Sequence, residues 1–347
     1  MKQLRTNTAW TFCLIKMLGM FKAAHGLRLA GAATLFMAGL ASPPAYAQLA
    51  SGKPIRIIVP FGPAGSADVI ARILQVPLGQ ALKQTIIIEN RAGAGSNLGT
   101  VAVARSDPDG TTLLLTTSAF LANPALYKNI PYDPAKDFTP VADLAVSPNI
   151  IATQPKGAFK SLADVVARAK ADPEKLNYAS PGNGTTPQLT MELFKLRAGV
   201  QLTNIAYGGG GPATQALLSG TVDLLTASLP NVQEQVRAGT MKGLAMTSTQ
   251  RWPELPDVPT FVELGFPDIV LDTDHLLLAP AGTPPDVIER MAKETRAVLA
   301  QDAVKERLRQ VGYAPIAGGP DVLKQRIAKE VPFFKELVAN AKIPQID

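Results

Sequence analysis

The stretch IRIIVPFGPAGSADVIARIL, residues 55–74, decides the fold class of this chain. Its β-branched run Ile55–Val59 predicts a buried strand, and the glycine- and proline-containing segment that follows predicts a turn. Ser66 is a suitable N-cap, and apolar residues at helical spacing continue to about Leu82. A strand, a glycine-rich turn and a helix in this order are typical of an α/β protein.

The same order of elements recurs along the chain, in two series separated by long extended stretches. The extended stretches cover residues 138–153 and 269–279. Alternating strands and helices predict parallel sheets covered by helices on both faces. The further predicted strands lie at 85–89, 112–116, 176–180, 201–207, 222–227 and 242–247, and the last helices at 284–300, 302–311 and 319–340.

A chain that leaves one α/β unit and later returns to it predicts two lobes, a two-strand hinge and a ligand cleft between the lobes. We assign residues 48–151 and 276–347 to a discontinuous lobe one and residues 152–275 to lobe two.

The N-terminus has the features of an export signal. Five basic residues and no acidic one precede Ala47, and the apolar run Leu29–Ala41 is followed by Ala45-Tyr46-Ala47. A membrane anchor is the alternative, but a span needs about 20 apolar residues. The pattern therefore predicts a cleaved signal peptide, residues 1–47, and a secreted protein.

Cleavage after Ala47 changes the charge and the available chemistry. It leaves 29 basic and 28 acidic residues, so the high pI belongs to the leader and gives no indication of nucleic-acid binding. Cys13 and His25 leave with the leader, and His275 is the only remaining histidine. We therefore expect no disulfide, no metal site and no cofactor.

Glycine-rich loops follow the predicted strands, and each leads into a helix start. Glycine allows a ligand to approach the backbone, and a helix N-terminus offers free N–H groups and a partial positive charge. Hydroxyl residues are frequent in these loops, whereas Arg91 is their only basic neighbour, which favours a small anion over a polyphosphate. Ordinary βα turns would select the same residue types and remain the alternative for any single loop. The loops are 60–66, 92–99, 180–187 and 207–212.

Other binding and catalytic patterns are weak. The spacing from Gly93 to Gly99 is one residue longer than the dinucleotide fingerprint, and no Walker A motif or nucleophile elbow is present. Asp272, Asp274 and His275 are close in sequence, but in a strand His275 faces away from the two carboxylates. We therefore predict no catalytic residue, and a role in the cleft or the hinge for Asp274 and His275.

Several segments together resemble the Bug family, the periplasmic receptors of tripartite tricarboxylate transporters. The resemblance covers nearly the whole chain after the leader. It rests on residues 57–68 (IIVPFGPAGSAD), 89–99 (ENRAGAGSNLG), 107–115 (DPDGTTLLL), 178–184 (YASPGNG), 207–213 (YGGGGPA), 220–223 (GTVD), 255–260 (LPDVPT) and 278–284 (LAPAGTP).

The resemblance implies a type II periplasmic-binding-protein fold and a non-enzymatic receptor. The ligand would be a di- or tricarboxylate, an acidic amino acid or an aromatic acid. The receptor would act as a monomer and deliver its ligand to membrane transporter subunits. A sensor for a signalling system and, further off, a secreted enzyme on the same scaffold are alternatives.

The ligand-binding residues that the resemblance implies come from the loops of both lobes. They are Phe61, Gly62, Ala64, Gly65, Ser66, Asp68, Ser118, Ser180, Gly184, Thr185, Thr186 and Tyr207. From their positions in the loops and at the hinge we add Ser96, Gly208, Asp274 and His275.

Overall fold

The computed structural model describes residues 53–173, 175–340 and 343–346, so the predicted leader lies outside the described residues. The described chain forms two β-sheets covered by helices. The strands are β1 (Ile55–Val59), β2 (Ile86–Asn90), β3 (Thr112–Thr117), β4 (Phe138–Ser147), β5 (Asn149–Thr153), β6 (Asn177–Ser180), β7 (Thr203–Ala206), β8 (Leu224–Ser228), β9 (Lys242–Met246), β10 (Thr273–Pro280) and β11 (Ala314–Gly318).

The helices follow the strands as the sequence pattern predicts, with one addition, α3. They are α1 (Ser66–Leu82), α2 (Asn97–Ala104), α3 (Ala119–Leu126), α4 (Leu162–Ala171), α5 (Thr186–Ala198), α6 (Gly210–Leu218), α7 (Gln233–Arg237), α8 (Pro285–Leu299), α9 (Asp302–Gln310) and α10 (Pro320–Asn340).

The first sheet has the strand order β11-β4-β10-β3-β1-β2. Every residue of β3 is buried, because helices cover both faces of this sheet. Ile58, Leu114 and Leu276 belong to the apolar cluster formed with α3 and α10. Helices α1, α8 and α9 contact one another and pack on this sheet as a second group.

The second sheet has the order β7-β6-β8-β5-β9 and also buries both faces. Ile151 and Leu224 pack with Phe194 of α5 in one apolar cluster. Their sequence neighbours Ile150 and Leu225 pack with residues of α6 in another. This division follows from the two-residue period of a strand.

The prediction of parallel sheets was wrong for the crossing strands. Strands β1, β2 and β3 pair in parallel, as do β6, β7 and β8. However, β10 pairs antiparallel with both β3 and β4, and β5 pairs antiparallel with β8 and β9. Both sheets are mixed because a strand that crosses from one sheet to the other enters in the reverse direction.

The two crossings between the sheets lie side by side. The chain changes sheet at Pro148 and returns before Thr273. The Asn149 side chain joins the crossings: its Nδ2 donates to Leu271 O at 2.7 Å, and its Oδ1 accepts from Thr273 Oγ1 at 2.7 Å. The predicted lobe boundaries at 151 and 275 lie a few residues after the two positions at which the chain changes sheet. The division into lobes stays a prediction.

Candidate functional site

The loops at the carboxyl ends of the parallel strands meet in a small cavity between the two sheets. Open α/β sheets bind ligands at these strand ends. The cavity has a volume of about 20 Å³, close to the space that one water molecule occupies. Its lining residues are Phe61, Gly65, Ser66, Ala67, Thr117, Pro181, Thr185, Pro187, Gly210, Ser228, Asn231 and Thr273.

Half of the residues that line the cavity are polar, and none carries a charge. Five of its residues have hydroxyl groups and Asn231 has an amide. Helix α1 begins at Ser66, α5 at Thr186 and α6 at Gly210, so the N-termini of three helices lie at the cavity. Their unpaired N–H groups and partial positive charges favour a small anion without a Lys or Arg partner.

Two predicted residues join the sheets beside this cavity. Ser118 follows β3 and Thr186 begins α5, and their hydroxyl oxygens are 2.8 Å apart in a hydrogen bond. Both residues are buried, and Ser118 Oγ also accepts from the Asp274 backbone N–H at 3.2 Å. These hydroxyls therefore contribute to the contact between the lobes.

The predicted Ser180 has a different environment. It is the last residue of β6, it is fully buried, and its Oγ has no hydrogen-bond partner among the described residues. A buried hydroxyl without a partner is uncommon and needs a reason, such as binding of a group from outside the chain. Ser180 is adjacent to Pro181 of the cavity lining.

Asp68 positions the loop after β1. Its carboxylate accepts from the Ala64 N–H at 2.9 Å, Arg72 Nε at 2.9 Å and Asn90 Nδ2 at 3.0 Å. Burial opposes ionisation of Asp68, but these hydrogen bonds and the Arg72 charge outweigh it and lower the pKa of the carboxyl group. The three donors lie in the loop after β1, in α1 and in β2, so Asp68 holds this loop against the first sheet.

A second cavity, of about 330 Å³, borders the first and contains further predicted residues. Phe61 and Pro181 line both cavities. Ser96, Tyr207 and Gly208 line only the second. Gly184 lines neither, but a Cβ atom on it would lie 2.5 Å from Asn123 Oδ1, so this glycine lets the two sheets' loops approach.

The structure shows that Asp274 and His275 line neither cavity. Asp274 forms an ion pair with Arg326 of α10. His275 is fully buried, its Nδ1 is 3.3 Å from Ala145 O, and its ring packs edge-on against Tyr313. Burial lowers the pKa of His275 to about 3, so the ring is neutral in the folded protein.

Several residues of the cavity were missed at the sequence level. Asn231, Ser228, Thr117 and Thr273 line it, yet none belongs to the four glycine-rich loops. Ser228 and Thr117 end strands β8 and β3, which is the signal that could have identified them. Asn231 and Thr273 reach the cavity through a short turn and a crossing strand, whose course the local pattern does not reveal.

A larger groove of about 1050 Å³ lies between α8 and the start of α10. Lys293, Arg296, Glu289 and Asp321 give it mixed charge. None of its lining residues belongs to the strand-end loops, so we assign the site to the small cavity.

Neither a membrane-spanning helix nor a metal-binding cluster occurs among the residues that the structure describes. None of their helices is both long enough and apolar enough to cross a bilayer. No three His, Cys, Asp or Glu side chains in these ranges are grouped closely enough to hold a metal ion.

Known proteins are similar to this chain in sequence and in fold. The family model "Tripartite tricarboxylate transporter family receptor" matches residues 70–342. Protein BugT of Bordetella pertussis is 38% identical over 296 residues, covering 85% of this chain and 90% of BugT.

Solved structures extend the comparison. The periplasmic binding protein BugD is 32% identical, with a TM-score of 0.82, and the match covers 85% of this chain and 99% of BugD. An R. palustris protein solved with adipate is 31% identical, also with a TM-score of 0.82 and coverage of 85% and 99%.

Proposed function

The chain belongs to the family of tripartite tricarboxylate transporter receptors, and on that premise we propose that it captures a small organic carboxylate between its two sheets, with a carboxylate group at the small cavity and the carbon chain in the adjoining cavity of about 330 Å³. The proposal rests on one observation above all: three helix N-termini and five hydroxyl residues converge on a cavity lined by no charged side chain. Such a site matches a carboxylate through N–H and O–H donors.

The adipate complex of the R. palustris relative supports a carboxylate as the ligand class. In the proposed site, Ser66 at the start of α1 and Thr117 at the end of β3 line the cavity and supply hydroxyl donors, whereas the Thr185 hydroxyl donates to Gly182 O at 2.7 Å and shapes the loop before α5. Asp68 acts indirectly, by holding the loop that contains Gly65. Phe61 packs where the small cavity meets the larger one, and would contact the ligand's carbon chain.

We further propose that the ligand is bound without being converted. The candidate bases all have partners within the protein. Asp68 accepts hydrogen bonds from three donors, Asp274 contacts Arg326, and His275 Nδ1 contacts the Ala145 carbonyl of β4. A general base must reach the proton that it abstracts, and none of these side chains lines the cavity.

The proposed location is the periplasm, after cleavage of the leader behind Ala47. Family relatives include a periplasmic binding protein, which supports this location. The proposed partner is the membrane part of a tripartite transporter, and the proposed form is a monomer. Its lobe one would comprise residues 48–151 and 276–347, and its lobe two residues 152–275. Mass measurement of the exported protein and light scattering would test cleavage and oligomeric state.

A thermal-shift series tests the binding proposal. A ligand that binds only the folded state stabilises it by RT ln(1 + [L]/Kd), about 2.7 kcal/mol at 100 times Kd. We expect adipate or another acid from a panel of di- and tricarboxylates, acidic amino acids and aromatic acids to raise the melting temperature in proportion to the logarithm of its concentration. The amide of the same acid is the control. If no acid in the panel raises the melting temperature, the proposed ligand class is wrong.

A further inference from the structure

We infer that Asn231 holds the cleft closed through a direct hydrogen bond to the Ala64 carbonyl of the opposite lobe, and that Asp68 orients this carbonyl group. Asn231 ends the short turn Leu229–Asn231 after β8 of the second sheet. Its Nδ2 donates to the Ala64 carbonyl, in the loop after β1 of the first sheet, at 3.0 Å. The inference rests on the proposed receptor function, because only a cleft that opens for a ligand needs such a contact.

Ala64 has an unusual backbone conformation at this contact. Its φ is 59°, in the left-handed region that residues other than glycine, asparagine and aspartate rarely adopt. The Ala64 N–H donates to Asp68 Oδ2 at 2.9 Å, and Asp68 is itself fixed by Arg72 and Asn90. The carboxylate thus holds Ala64 in the conformation that directs its carbonyl group toward Asn231.

The start of α6 fixes Asn231 from the other side. A Cβ atom on Gly210 would overlap the Asn231 side-chain amide, and a Cβ atom on Gly211 would lie 2.8 Å from Pro63 O. Glycine at both positions therefore lets Asn231 pass between α6 and the opposite loop. The Asn231 carbonyl also accepts from Thr214 Oγ1 at 3.4 Å.

Asn231 also lines the cavity and is only 9% exposed. One residue therefore contacts both the ligand site and the opposite lobe. Because Ala64 and Asn231 belong to different sheets, their hydrogen bond exists only while the loops are together. Asn231 thereby favours the closed form before any ligand binds, and slows release afterwards.

Distance measurement between two spin labels tests this inference without a ligand. The labels are placed at Val76→Cys on α1 and Lys170→Cys on α4, both exposed, in a Cys13→Ser background. We expect the unliganded protein to show a short-distance population. Asn231→Ala should reduce that population at least threefold, and so should Asn231→Asp, which keeps the shape of the side chain but removes the donor.

The matched control is Asn204→Ala, which removes an amide hydrogen bond of 2.8 Å to Asn183 within the second lobe. This control should leave the distance distribution unchanged. An unchanged short-distance population in both Asn231 variants would overturn the inference, and so would the lack of such a population in the parent protein. Failure of the proposed function would instead appear as absence of carboxylate binding, which does not affect these distances.

Discussion

Gly62 and Gly208 contact each other across the cleft: the Gly62 N–H donates to the Gly208 carbonyl at 3.0 Å. The space for a side chain differs greatly between the two ends of this hydrogen bond. A Cβ atom on Gly62 would lie 2.7 Å from Gly208 O, whereas a Cβ atom on Gly208 would have no neighbour within 4 Å. Neither residue has a left-handed φ, so alanine fits both backbones.

Gly62→Ala should therefore impair closure without impairing folding. The methyl group must displace the Gly208 carbonyl before the loops can meet. We expect the affinity for the carboxylate that stabilises the protein most to fall at least tenfold, and the melting temperature without ligand to change little. Isothermal titration calorimetry and a thermal melt measure the two effects.

Gly208→Ala is the matched comparison, because a Cβ atom on Gly208 would meet no protein atom within 4 Å. Its affinity should fall less than that of Gly62→Ala, because the added methyl group leaves the approach of Gly62 to Gly208 unobstructed. Equal losses of affinity in the two variants would show that loss of glycine, and not obstruction of the cleft, weakens binding.

Asp68→Ala should destabilise the protein as well as weaken binding. The variant removes the charged acceptor of the Ala64 N–H and of one Asn90 N–H, and a hydrogen bond to a charged group contributes about 1.5–3 kcal/mol. The lowered pKa of Asp68 gives the effect a pH dependence. The contribution is present above the ordinary pKa of 3.8 and is lost as the pH falls through the folded value.

Urea denaturation at pH 7 and pH 3 measures the Asp68 contribution. The difference in unfolding free energy between the parent and Asp68→Ala should shrink toward pH 3. A difference that stays constant with pH would mean that the charge of Asp68 contributes nothing to holding the loop.

Ser180→Ala separates ligand binding from folding. Because Ser180 Oγ has no partner among the described residues, its removal should change the free energy of unfolding by less than about 0.5 kcal/mol. If the hydroxyl binds ligand, carboxylate affinity should fall by about three- to tenfold, as for one lost hydrogen bond. Calorimetry on Ser180→Ala and Ser180→Thr provides the comparison, and unchanged affinity in Ser180→Ala would remove Ser180 from the site.

A buried charge cluster beside the hinge predicts a further pH effect. Arg326 of α10 contacts Asp274, Asp143 at 2.8 Å and Glu330 at 3.2 Å. Burial raises the pKa of Asp274 to about 7, and the Glu330 and Asp143 charges add to the rise while Arg326 opposes it. The folded protein therefore keeps a proton on Asp274 that the unfolded chain loses above its ordinary pKa of 3.8.

Because the folded state binds the additional proton, Asp274 lowers the free energy of unfolding as the pH rises from about 4 to 7. Asp274→Asn should remove this loss. Its stability relative to the parent should rise with pH, by up to about 1.4 kcal/mol per pH unit. The lowered pKa of His275 makes the free energy of unfolding rise with pH, but this contribution is the same in both proteins and does not affect their difference. Parallel stability curves between pH 4.5 and 6.5 would contradict the prediction.

Much of this architecture follows from local sequence patterns. The run at Ile55–Val59 and the spacing after Ser66 place β1 and α1 within a residue or two of their observed limits. Strand β11 was missed because its sequence Ala314-Pro-Ile-Ala-Gly318 lacks a β-branched run and contains proline. Helix α3 was missed because Pro124 lies inside it and its residues are apolar on all sides.

The candidate site was less accessible from the sequence than the fold. The hydroxyl-rich loops were identified because turn chemistry is local, and Phe61, Gly65, Ser66 and Thr185 do line the cavity. The contribution of Asn231 depends on a contact with Ala64, 167 positions away in the chain. No spacing rule predicts such a contact, since it joins loops that follow strands of two different sheets.

A crystal structure of the protein grown with its best-binding carboxylate tests the central claim most directly. We expect a carboxylate group at the cavity between the sheets, with an oxygen atom about 3 Å from Ser66 or Thr185 at a helix start. A carboxylate found only in the groove between α8 and α10, or bound through a Lys or Arg side chain outside the cavity, would contradict it.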